Sequence, residues 1–174
     1  MWGAALALAR LGAICRHVAL TFKLDSRIRA GRQVVGSIPP MKLVSASLRA
    51  RASRWLPLLA WAAVIFWLSA TPNLRVASAD NVDFIVRKAG HMCAFGILAI
   101  LFWRVLAPSG LRRAAVWGLA WVLTVAYAAT DEFHQSFTRG RHPSPVDVGI
   151  DTAGALIGLL LLVAWFRIRA RRIA

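Results

Sequence analysis

Four apolar runs, each fenced by basic residues or proline, constrain this chain more than any other feature. The first is Trp55–Thr71, closed by Arg54 and Pro72. The second is about Ala89–Ala107, with Arg104 near its end, and the third is Ala114–Thr130, preceded by Arg112 and Arg113. The fourth is about Val148–Phe166, followed by Arg167, Arg169, Arg171 and Arg172. A helix needs about 17–25 mostly apolar residues to cross a bilayer, so each run alone is marginal. Four in succession, separated by short polar loops, predict an all-α transmembrane bundle of about four helices. Residues 1–54 then read as a basic N-terminal extension, 55–168 as the transmembrane domain and 169–174 as a basic tail.

Composition supports this class. Hydrophobic residues make up 59% of the chain and the mean hydropathy is +0.60, above the roughly 45–50% apolar content of soluble domains. Eight tryptophans and twelve glycines suit interfacial belts and close helix contacts. The net charge of +15 would raise nucleic acid as a partner in a soluble protein, but no nucleic-acid motif accompanies it. The basic residues flank the apolar runs instead, as in cytoplasmic loops lying on anionic lipid.

The basic residues also orient the chain. With the N-terminus inside, 17 lysines and arginines fall on the inner side and five on the outer side, namely Arg75, Arg87, Lys88, Arg139 and Arg141. The positive-inside rule therefore predicts that both termini are cytoplasmic. Asp80, Asp83, Asp131, Glu132, Asp147 and Asp151 all fall outside in this topology, leaving Asp25 as the sole inner acid. Arg104 is expected to snorkel its head group outward from the end of its span.

The first forty residues read less clearly. Met1–Leu20 is apolar but interrupted by Arg10, Arg16 and His17, which disfavours a span, and no basic residue precedes its apolar run as a signal peptide requires. Gly31–Pro40 reads as a loop. From Met41 the sequence looks like an ordinary protein start. Residues 1–40 are thus either an over-extended reading frame or a basic cytoplasmic tail or surface-lying helix. Cys15 and Cys93 offer neither metal-ligand spacing nor a disulfide framework. Cys93, within an apolar run, reads as a buried small hydrophobe.

Polar residues converge at the outer ends of the spans. Lys88 and His91 open the second span on one helix face. Asp131, Glu132, His134 and Gln135 close the third. Arg139, Arg141, Ser144 and Asp147 occupy the next loop, and Asp151 lies one turn into the fourth span. An ionisable group in a membrane segment is costly unless paired or facing water. Asp151 and His91 are the deepest, and setting Lys88 or Arg141 against the acids would favour ionised carboxylates. Gly154 and Gly158 lie at the spacing that lets another helix approach closely, so the last three spans can form a tight bundle with a polar mouth. Taken singly, Lys88 also fits an interfacial anchor, His91 a capping or core histidine, and Arg139 and Arg141 solvated loop charges.

With these residues in view, the sequence resembles the VanZ-like family of small membrane proteins over roughly residues 55–166. The markers are Ser69-Ala-Thr-Pro72, Arg87-Lys88-Ala-Gly-His91, and the run DEFHQSFTRGRHPSPVDVGIDTAG from Asp131 to Gly154. The resemblance carries over Lys88, His91, Asp131, Glu132, Gln135, Arg141, Ser144, Asp147 and Asp151, with His134 in a variable slot. Phe95 stands where an aromatic, often Tyr, is common, and Asp151 where Asn is frequent. The long basic N-terminus has no expected counterpart. The resemblance implies work at the outer leaflet of a bacterial cytoplasmic membrane, and a link to glycopeptide (teicoplanin-type) resistance. The partners it implies are membrane lipid, a lipid-linked cell-wall precursor or a lipophilic glycopeptide.

Three readings stay open. A binding factor would use Lys88, Arg139 and Arg141 on phosphate or carboxylate groups. An enzyme would use Asp131 or Glu132 as base, His91 or His134 as partner and Arg141 at an oxyanion. A structural network would merely fix helix register. The residue types permit catalysis, but the sequence does not show the mutual geometry it needs, so binding is the favoured reading. No HExxH or comparable spacing calls for a metal, and nothing calls for a cofactor. Oligomerisation is compatible with so short a bundle.

Overall fold

A computed structural model describes residues 40–71, 80–138 and 144–173, which form four α-helices and no strand. They are α1 (Pro40–Ala70), α2 (Asp80–Leu106), α3 (Arg113–Gln135) and α4 (Pro145–Arg171). All four are long and apolar enough to cross a membrane. Each apolar run recognised in the sequence coincides with one helix, with only Thr71 and Ala107 falling one residue past the ends of α1 and α2, and every helix is longer than its run. Hydropathy marks only the part that suits hydrocarbon, whereas backbone hydrogen bonding continues through polar flanks until a breaker intervenes. At about 1.5 Å per residue α2 is about 40 Å long, against about 30 Å for a bilayer's hydrocarbon core. The expectations for residues 1–39, Cys15 included, lie outside the described residues.

The local signals explain the boundaries. Proline is the first residue of both α1 and α4, where its missing N–H would have had no helical partner anyway. Ser144 caps α4, its hydroxyl accepting from the Val146 N–H at 3.2 Å, and Asp147 places a negative charge in the first turn. Between α2 and α3 the chain turns through Gly110, whose φ of +81° is a conformation open to glycine and strained for side-chain-bearing residues.

The chain divides into two compact units, Met1–Pro57 and Leu58–Ala174. In the first, the described part is the opening half of α1, with Arg49 and Arg51 exposed and the Ser53 hydroxyl donating to the Ala50 carbonyl at 3.0 Å. Pro57 lies inside the helix and removes one N–H from its ladder.

In the second unit α2 and α4 make the closest packing, with α3 against both. Ala99, Ala120, Ala155 and Leu159 form a small-residue core, covered by Phe102, Trp103, Leu106 and Trp117. The end of α1 is pinned by polar bonds to backbone. Trp61 Nε1 donates to the Ala94 carbonyl at 2.9 Å, and the Tyr127 hydroxyl donates to the Ala62 carbonyl at 2.7 Å. Outward-facing side chains are large and apolar, among them Leu59, Trp67, Leu160 and Leu161. Such a surface would be an aggregation hazard in water and is at home in lipid.

Two expectations are corrected. Arg104 does not reach outward; it is 5% exposed. It follows Leu98 and Leu101 at successive spacings of three, and all three lie on the buried face of α2. Cys93 is exposed rather than buried, because it falls off the stripe Met92–Phe95–Gly96–Ala99 that α2 turns toward its neighbours.

Candidate functional site

The order of the helices brings the C-terminal ends of α1 and α3 and the N-terminal halves of α2 and α4 to one end of the second unit. Asp131, Glu132, Gln135 and Asp151 are all buried there, as is Ser69. Lys88 and His91 lie two to three turns into α2 rather than at its start, since α2 begins at Asp80. There they meet α4.

Each polar residue is positioned by a particular partner. Asp131 Oδ2 accepts from the Ser69 hydroxyl at 2.7 Å and from Gln135 Nε2 at 2.9 Å. The second bond is the i,i+4 contact that a continuous α3 predicts. The first reaches across from α1. Glu132 Oε1 accepts from the Ser144 backbone N–H at 2.6 Å, tying the end of α3 to the cap of α4. Lys88 Nζ pairs with Asp147. His91 Nδ1 stands 3.5 Å from Asp151 Oδ1. That distance is long for a hydrogen bond and suits an ion pair when the imidazole is protonated. Asp151 is 2% exposed, so this contact is the deepest of the four.

The groups also act on one another beyond direct contact. Lys88, Asp147 and Asp151 lie within electrostatic reach of Glu132, and Asp131 and Asp147 within reach of Asp151. His134 stacks on Phe66, with ring centroids 4.0 Å apart, and its Nδ1 is buried with no hydrogen-bond partner among the described residues. Phe95, fully buried, lies between His91 and Tyr127 at centroid distances of 6.2 and 6.3 Å.

Gly154 and Gly158 hold α4 against α2 below the charged pairs. A Cβ on Gly158 would lie 2.5 Å from the Gly96 carbonyl oxygen and 2.7 Å from its Cα. One on Gly154 would lie 2.7 Å from Met92 Cα. Real side chains do not approach so closely, so the helices touch backbone to backbone here. Gly96 supplies the other half of this contact; nothing in its sequence spacing singled it out.

The site residues expected from sequence are thus mostly brought together. Lys88, His91, Asp131, Glu132, Gln135, Asp147 and Asp151 share one end of the bundle. Ser144 acts through its backbone N–H and as a helix cap. Arg139 and Arg141 lie outside the described residues. Two residues were missed. Ser69 appeared only as part of a motif, although a serine in an apolar run just before a breaker was a usable signal. Asp83 is buried and pairs with Arg87 at 3.0 Å, an i,i+4 spacing that was legible. Among the described residues no three His, Cys, Asp or Glu side chains are placed to hold a metal ion.

Chemically the arrangement offers buried acceptors, one ammonium held by a carboxylate, and an imidazole beside a buried acid. No curated protein and no solved structure matches the chain. The family model described as VanZ/LLP1 matches residues 36–167. The match takes in all the described site residues and begins upstream of α1, in the basic segment for which no counterpart was expected. By that match, and with four helices fit to cross a bilayer, the chain is a membrane protein belonging to the VanZ/LLP1 family.

Proposed function

We propose that this protein binds the polar head of an amphiphile of the bacterial cell envelope at the end of the bundle holding Lys88, His91, Asp131, Glu132, Asp147 and Asp151. The ligand classes are membrane lipid, a lipid-linked cell-wall precursor or a lipophilic glycopeptide. The observation that carries the reading is the gathering around Glu132, itself buried, of Lys88, Asp147 and Asp151 within electrostatic reach. Ionisable groups inside membrane segments mark ligand or ion sites by default, because their burial is costly. The test is lipid analysis of purified protein. Glu132→Gln should elute and melt like the parent but lose a co-purifying amphiphile and any associated drug-susceptibility phenotype. If Glu132→Gln and Arg141→Lys both keep ligand and phenotype, the cluster is not a binding site.

We further propose that this end faces outward from the cytoplasmic membrane, with both termini inside. The lopsided distribution of 17 basic residues against five supports it. In a background lacking Cys15 and Cys93, Ser144→Cys should label from outside and Ser109→Cys should not; the reverse pattern refutes the orientation.

A second reading has its own support. Ser69–Asp131 and His91–Asp151 each join two helices, as a network fixing register would. Under that reading Asp151→Asn lowers the melting temperature and no ligand is found. An enzymatic reading would rest on His91, which stands 3.5 Å from Asp151 Oδ1, with Asp131 and Glu132 as the other candidates.

A further inference from the structure

We infer that the polar end of the bundle takes a primary ammonium group of its ligand, with Asp131 as the principal acceptor. The inference deepens the binding reading above and rests on it.

Two observations carry it. The first is the uneven satisfaction of Asp131, which is 3% exposed. Its Oδ2 accepts from Ser69 and Gln135, while its Oδ1 is buried and meets no donor among the described residues. An unmet buried polar group is costly, more so when charged, so this oxygen is an acceptor awaiting a donor. The second is charge balance. Among the described residues at this end, Asp83, Asp131, Glu132, Asp147 and Asp151 stand against Arg87, Lys88 and His91, and Arg87 is taken up by Asp83. Lys88 is already held by Asp147, and His91 stands beside Asp151. For Lys88 to bind a phosphate, as the sequence suggested, it would have to leave a carboxylate. A cation taken by Asp131 leaves both of these pairs in place.

A cation that is to satisfy Oδ1 by hydrogen bonding must carry an N–H. A primary ammonium offers three N–H donors, whereas a quaternary ammonium has none and is recognised by aromatic faces. The site should therefore separate two heads of equal net charge that differ only in methylation. Such an ammonium can arrive on a lipid or on a water-soluble amine. The sequence of the α3–α4 connection holds two further cations, Arg139 and Arg141, outside the described residues, so the test includes them.

The test uses the full chain in dodecyl maltoside, examined by native mass spectrometry. Phosphatidylethanolamine, phosphatidylcholine and phosphatidic acid with identical acyl chains are added separately, and ethanolamine alone in a fourth series. Phosphatidylethanolamine should bind at least about tenfold more tightly than the other two lipids, the size expected of one charge-assisted hydrogen bond. Asp131→Asn should abolish the preference. The wild-type series decides the matter even if that variant misfolds. Ethanolamine binding as tightly as the lipid would support the ammonium site and assign it to a soluble amine. Equal binding of all three lipids overturns the inference and leaves the amphiphile reading standing. No saturable binding overturns the inference and removes membrane phospholipid from the ligand classes of the amphiphile reading. A preference that emerges only in an Arg139→Gln, Arg141→Gln double variant also overturns it, since the loop would then supply the cation.

Discussion

The contact between α2 and α4 changes character along its length. At the polar end it is made by charged tips, Lys88 with Asp147 and His91 with Asp151. One turn deeper it is made by backbone, Gly154 against Met92 and Gly158 against Gly96. The two stretches use the same helical spacing, yet they depend on opposite physical requirements. The charged stretch tolerates separation, because long side chains and water can adjust. The glycine stretch tolerates none, because nothing lies between the two backbones. The rigid contact therefore fixes where the adaptable one sits. Dispersion and small residues drive helix association in lipid, where the hydrophobic effect between helices is absent.

Substitutions along this seam can break the comparison. The largest effect is expected from Gly158→Ala. Its Cβ would have to push Gly96 away, and overpacking of this kind costs about 1–3 kcal/mol, read as a lower unfolding midpoint in detergent. A mild result would mean that the helices do not touch there. Next come the ion pairs. Asp151→Asn, at the deeper pair, should cost more than Lys88→Met, whose partnership is about a quarter exposed on both sides and worth about 1 kcal/mol or less. The reverse order would place the anchoring contact at the mouth. The smallest effect belongs to Gly118→Ala on α3, where an added Cβ meets nothing within 4 Å. There helix propensity alone acts, stabilising by up to about 1 kcal/mol. Destabilisation would indicate a neighbour facing that position.

Much of the site was legible because helical spacing is a local property. Asp131–Gln135 are one turn apart in any continuous helix, and so are Asp147 and Asp151. Gly154 and Gly158 announced close packing by the same rule. What spacing could not supply was partnership between helices. Lys88 had two prospective partners, the acids of α4 and those of α3, and only the packing of α2 on α4 selects Asp147. Ser69 lies 62 residues from Asp131, a separation across which no sequence period operates. Arg104 illustrates the same limit. Its position near a helix end suggested snorkelling, yet the face on which it falls is buried.

The sequence by itself determined that the chain makes four membrane-length helices and that its acids cluster near their ends. Both follow from transfer free energy and periodicity, which depend on neighbours in the chain. The tertiary structure alone decided which cation meets which carboxylate, that Gly96 faces Gly158, and that one oxygen of Asp131 stays unbonded among the described residues. Those outcomes depend on distances between helices, and these are set by the smallest residues at each crossing.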